Sequence, residues 1–114
     1  MKRGELWTVA GGGDYTNKPR PGLILQDDRF ESMESVTLCV LTTDLTDAPL
    51  FRIKVEATDI NGLEAPSCIM VDKITTVRRA RLGMRIGQLN DDDLTRVNRA
   101  ILIFLGFTGS TSAL

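Results

Sequence analysis

Histidine is absent from this 114-residue chain. That removes the commonest general acid–base group and the commonest metal ligand together, and Ser–His and Cys–His nucleophilic machinery with them. Cysteine is scarce. Cys39 and Cys68 stand apart inside apolar runs, without the close pairing of a zinc knuckle. They read as small buried hydrophobes of a reducing cytosol, a disulfide being the less favoured alternative. No apolar run approaches the ~20 residues that span a bilayer. The start, Met1-Lys2-Arg3-Gly4-Glu5, leads into a short mixed strand and not into the apolar core of a signal peptide. The expected setting is the cytoplasm, with no membrane partner. Neither sign of charge is in excess: the formal net charge is −1, so a site for a polyanion must come from local clustering. What is present, 42% hydrophobic and 25% charged residues, is the composition of an ordinary globular chain. Its length suits a single domain over residues 1–114.

Short β-type segments dominate the chain. Residues 5–9 and 23–25 read as the first two strands, separated by Gly11-Gly12-Gly13 and the polar residues after it. Residues 27–34 are a charged connector. Residues 36–43 form the most β-like run, apolar on both alternating faces as a doubly covered central strand would be. Residues 51–55 alternate apolar residues with cations and so mark a half-exposed strand. Asn61-Gly62 and Pro66 punctuate a turn before a strand over residues 67–71 that leads into residues 72–77, and residues 84–87 make a last short strand. The period then changes. Asn90 is placed to cap a helix, Asp91, Asp92 and Asp93 suit its positive end, and Leu94, Val97, Ile101 and Leu105 form its apolar stripe up to Gly106. Residues 108–114 are expected to fray. The pattern predicts a mainly β fold, a small, strongly bent sheet or barrel with one C-terminal helix.

Few residues are left to carry chemistry. Arg20 stands between Pro19 and Pro21 at the mouth of an apolar strand. Pro19 has its own φ fixed and Pro21 pushes Arg20 toward extended geometry, so the guanidinium rides on backbone with little freedom. Its planar fork matches a phosphate; equally, it reaches solvent from an edge strand. The hydroxyl of Thr42, beside Thr43 at the end of the central run, either caps the turn through Asp44 or donates to a phosphoryl oxygen. Lys73, Arg78, Arg79, Arg81 and Arg85 occur with no acidic residue between Lys73 and Arg85. They are a solvated face or an electrostatic footprint for a phosphate backbone. The Asp91-Asp92-Asp93 run fits a helix start better than a metal site, and the three glycines lack the lysine–serine ending of a phosphate loop. No metal and no cofactor is expected.

The ordered set Arg-Gly-Glu-Leu-Trp, Lys-Pro-Arg-Pro-Gly-Leu-Ile-Leu-Gln, Leu41-Thr42-Thr43, Asn61-Gly62-Leu63 and Val71-Asp72-Lys73-Ile74-Thr75-Thr76-Val77 resembles the MazF/PemK family of toxin–antitoxin ribonucleases. It runs from Arg3 to about Phe107. The resemblance implies an SH3-like barrel with a C-terminal helix, assembled as a homodimer. It also implies metal-independent cleavage of single-stranded mRNA at short sequences, leaving 2′,3′-cyclic phosphate and 5′-hydroxyl ends, and inhibition by a cognate antitoxin. The family's essential arginine falls on Arg20 and its essential threonine on Thr42. An acidic residue used by some members falls on Asp72. Two departures stand out: this chain has no histidine in the first loop, and Met70 where some members carry arginine. On this reading Arg20 stabilises charge at the phosphorus centre and, less readily given its high pKa, protonates the leaving oxygen. Tyr15, Asn17, Lys18, Thr43 and the cations Lys73, Arg78, Arg79, Arg81 and Arg85 would hold the RNA, Tyr15 as the better stacking platform and Trp7 more often core. The same barrel in CcdB-like toxins binds DNA gyrase and cleaves nothing, which is the alternative function.

Overall fold

A computed structural model describes residues 1–11 and 18–108 of the chain. Six strands follow one another: β1 (Glu5–Val9), β2 (Arg20–Ile24), β3 (Ser35–Thr42), β4 (Arg52–Val55), β5 (Ser67–Arg78) and β6 (Leu82–Gln88). Among the described residues one α-helix, α1 (Asp91–Phe104), follows the strands. The strands make a single sheet in the order β4-β5-β3-β2-β1-β6 with every neighbouring pair antiparallel. This is the expected mainly β architecture with a C-terminal helix. Register shifts interrupt the β3–β5 ladder between Cys39 and Leu41 and the β1–β6 ladder on either side of Trp7; such bulges bend and twist a sheet.

Two differences from the sequence reading matter for the site. The second strand begins at Arg20, three residues earlier than the apolar run suggests, because Arg20 and Pro21 pair with Val9 and Thr8 of β1. And residues 67–78 form one twelve-residue strand, β5, spanning the sheet between β3 and β4.

β3 is covered on both faces, as its sequence suggests: Leu38 and Cys39 are adjacent, point oppositely and are both fully buried. Cys39 joins Leu6, Leu23, Leu41, Ile53, Ile69, Val71, Val97 and Ala100 in the larger core. Leu38 joins Val9, Ile24, Val36 and Val77 in a smaller one, against which half-buried Trp7 packs. Both cysteines are free and buried. In β4, Ile53 and Val55 turn inward while Lys54 is exposed.

The helix forms for the reasons its sequence supplies. Asn90 Oδ1 accepts the Asp93 N–H at 2.7 Å, and Val97 and Ala100 are buried with Leu94 and Ile101 packed beside them. Leu105 lies just past the last helical residue and is 52% exposed, because Gly106 (φ +80°) reverses the chain. There the N–H of Gly106 donates to Ile103 O and that of Phe107 to Leu102 O, a Schellman termination. Among the described residues no helix is long and apolar enough to cross a membrane.

Candidate active site

Beyond the Asn61-Gly62 turn the chain forms a shelf. Asn61 is buried, and its side chain makes three hydrogen bonds: Oδ1 accepts the N–H groups of Thr58 and Leu63, each at 3.0 Å, and Nδ2 donates to Glu56 O at 2.7 Å. Gly62 has φ +71°, and a Cβ there would lie 1.9 Å from Ile86 O, so only glycine lets this turn press against β6. Gly87 is closed off the same way, 2.4 Å from the Asn61 backbone. The Gln88 N–H donates to Ile60 O at 3.1 Å and completes the join. Leu63, Glu64 and Ala65 are thereby held as a wall facing the ends of β2 and β3.

Between that wall and the strands lies a cavity of about 600 Å³, lined among others by Lys18, Arg20, Thr42, Thr43, Glu64 and Ser67. It brings together Arg20, Thr42, Thr43 and Lys18 of the residues singled out in the sequence. Arg20 is half-buried and placed by its pairing with Val9. Thr42, the last residue of β3, pairs with Cys68 at the start of β5. Its Oγ1 accepts the Asp44 N–H at 3.1 Å. The two readings of Thr42 are thus compatible: accepting that bond fixes the side chain and leaves the hydroxyl hydrogen to be donated elsewhere.

A second, smaller depression of about 350 Å³ adjoins the first through Arg20, which lines both. Its walls include the cations Lys73 and Arg81 over an apolar floor containing Leu38, Val40 and Met70. Arg81 is anchored by donating to Ala10 O from Nε and Nη2, at 3.2 and 2.6 Å. The basic run is therefore divided. Arg78 and Arg79 face the 32–35 turn instead, because the short 3₁₀ turn Arg79–Arg81 swings the chain between β5 and β6. Arg85, on β6, pairs with Glu5 at 3.0 Å and donates to Gln88 Oε1 at 2.9 Å. Burial alone would push the Glu5 pKa up, but hydrogen bonds from Trp7, Lys2 and Arg85 bring it below its usual range.

Asp72 lines neither depression. The Arg52 guanidinium holds it in a fork, Nε to Oδ1 at 2.8 Å and Nη2 to Oδ2 at 3.1 Å, and these bonds lower its pKa. The pair arises because Arg52 sits opposite Met70 in the β4–β5 ladder, two residues from Asp72 on the same face. Burial, with the nearby Asp72 charge, pushes the Cys39 thiol up to about 12, so it offers no thiolate. Tyr15 and Asn17 lie outside the described residues. Sequence reasoning missed Glu64, Ser67 and Thr8 in the cavity wall; of these only Glu64 had a signal, its place directly after the Asn61-Gly62-Leu63 motif.

The chain matches the family described as PemK-like, MazF-like toxin of type II toxin–antitoxin system over residues 2–105. It is 51% identical over 109 residues to a "Probable endoribonuclease MazF" of Mycolicibacterium smegmatis, covering 96% of this chain and 100% of that one. It superposes on the Mycobacterium tuberculosis toxin MazF-mt6 with a TM-score of 0.76 at 25% identity, over 90% of this chain and 96% of the other. A mycobacterial endoribonuclease solved in complex with its cognate antitoxin shares the fold, with a TM-score of 0.78 at 21% identity over 96% and 98% of the two chains. A strand-borne arginine and threonine meeting in one cavity, together with a match across nearly the whole chain, place this protein in the PemK-like, MazF-like toxin family of type II toxin–antitoxin systems.

Proposed function

We propose that this toxin is an endoribonuclease that cuts single-stranded mRNA without a metal ion, the RNA's own 2′-hydroxyl attacking the adjacent phosphorus. The products are a 2′,3′-cyclic phosphate and a 5′-hydroxyl. The observation that carries this reading is the convergence of Arg20 and Thr42, from separate strands, on one open cavity. A planar cationic fork and a hydroxyl donor lining one volume are what a crowded phosphorane needs, since its charge builds on non-bridging oxygens. Arg20 is the charge-stabilising group and Thr42 a neutral donor to the same oxygens. Lys18, Lys73 and Arg81 border the two depressions that meet at Arg20 and supply the backbone-tracking charge that binding a single strand requires, with Thr43 beside them as a neutral hydrogen-bonding group.

The protein acts in the cytoplasm as a homodimer and is silenced by a cognate antitoxin. The apolar side chains exposed at the end of the helix, among them Phe104 and Phe107 at 47% and 76%, support a protein–protein contact in that region. The test is incubation of purified protein with a long single-stranded RNA in EDTA, beside Arg20→Ala, with the new ends mapped. Discrete cuts with 5′-hydroxyl ends, lost in the variant, are expected. No cutting across varied RNA would overturn the reading in favour of a gyrase-binding toxin of the same fold.

A further inference from the structure

In-line cleavage by a 2′-hydroxyl needs a base to take that hydroxyl's proton and an acid to protonate the departing 5′ oxygen. This chain has no histidine for either task. Asp72 is tied to Arg52 outside the cavity, and Cys39 is buried in the core. The cavity that holds Arg20 and Thr42 does contain one carboxylate among its described lining residues, Glu64, and one ammonium, Lys18. Both are exposed, and among the described residues neither forms an ion pair. The backbone under Glu64 is unusually determined for a loop. The Leu63 N–H is bonded to Asn61 Oδ1, the Gly62 N–H donates to Thr58 O at 2.9 Å, and Gly62 abuts Ile86 O.

Resting on the endoribonuclease reading, we infer that Glu64 accepts the proton of the attacking 2′-hydroxyl and that Lys18 gives a proton to the leaving 5′ oxygen. The 2′ oxygen forms its bond to phosphorus as its proton passes to the Glu64 carboxylate. The P–O5′ bond breaks with its electron pair kept on O5′, which takes a proton from the Lys18 ammonium. Exchange with water restores both groups. Among the described residues, the charged groups that line this cavity with Glu64 are Lys18 and Arg20; those contributed by β1, β3, β5 and β6, among them Thr8, Thr42, Ser67 and Ile86, carry no titratable charge near neutrality.

The experiment measures single-turnover cleavage against pH on a short RNA spanning one mapped cut, and on the same RNA with sulfur replacing the bridging 5′ oxygen. A thiolate leaves without needing a proton, so the second substrate separates base from acid. Glu64→Gln is expected to slow both substrates by roughly 10²–10⁴ and to abolish the acidic limb of the pH profile, with Glu64→Asp recovering part of each. Binding of a non-cleavable 2′-deoxy strand and the circular dichroism spectrum stay unchanged. Lys18→Met is expected to slow the oxygen substrate and to be restored by sulfur. Glu64→Gln cutting within about threefold of wild type, or slowed with its acidic limb intact, overturns the base assignment; a Lys18→Met defect that sulfur does not relieve overturns the acid assignment. If the wild type itself leaves RNA intact, the endoribonuclease reading fails first, whereas active wild type with active Glu64→Gln defeats this inference alone.

Discussion

Asp72 and Glu64 are carboxylates at opposite stages of the same piece of chain, one within β5 and one three residues before it begins. Asp72 meets Arg52 across the β4–β5 ladder and is closed into a two-bond fork, with side-chain exposures of 20% and 17% for the pair. Glu64 stands on a turn whose hydrogen bonds are made by its neighbours, and it lines a cavity that Lys18 and Arg20 also line. The contrast teaches that acidity of sequence is not availability. A carboxylate satisfied by guanidinium has a lowered pKa and little basicity to offer, whereas one held by its backbone keeps its lone pairs for a substrate.

That comparison can be broken or sharpened by substitution. The largest effect is expected from Arg20→Ala, a loss of about 10³ or more in cleavage rate with the fold retained; a wild-type rate would break the cavity side of the contrast outright. Thr42→Val removes one neutral donor at nearly constant shape and is expected to cost about 10² in rate, read in the same assay. Asn61→Ala strips the partners from two N–H groups and one carbonyl. It is expected to lower stability by about 2 kcal/mol in urea titrations and to reduce cleavage as the Glu64 shelf loosens.

On the other side, Asp72→Asn should cost about 1 kcal/mol at neutral pH, since the pair is partly exposed and screened, while cleavage persists. The sign with pH follows from the lowered pKa of Asp72. Its stabilisation is present above the ordinary carboxylate range of about 4 and disappears as pH falls through the lower folded value. Thermal melts should therefore show the wild type's advantage vanishing in acid; an advantage that persists there would mean the fork is not what stabilises. The smallest effect concerns the divided basic run. Lys73→Ala should reduce the salt dependence of RNA binding by about one phosphate's worth, roughly 0.7 in log–log slope for a single strand. Arg78→Ala, facing the 32–35 turn, should leave that slope as it is.

Much of the fold was legible. Alternation marked Ile53 and Val55 as buried, unbroken apolar character marked β3 as doubly covered, and the Asn90 cap with its acidic first turn placed the helix start. Prolines on both sides of Arg20 signalled a stiff arginine, and motif order pointed to Thr42. Local composition hides position: the five cations between residues 73 and 85 are close in sequence but separated by a turn, and Leu105, last of the helical stripe, lies just beyond the final helical residue at the Gly106 stop the sequence marked. The role of Asp72 was obscured because its partner, Arg52, is brought beside it only by strand pairing.

The division has a physical basis. Backbone preferences, caps and periodicity act over a few residues, so the sequence by itself determined which segments are strands, where the helix begins and that catalysis must proceed without histidine. Which carboxylate is neutralised and which faces the cavity depends on ladder register and on the close approach of Gly62 to Ile86, contacts between distant segments. Those were decided only when the sheet closed around them.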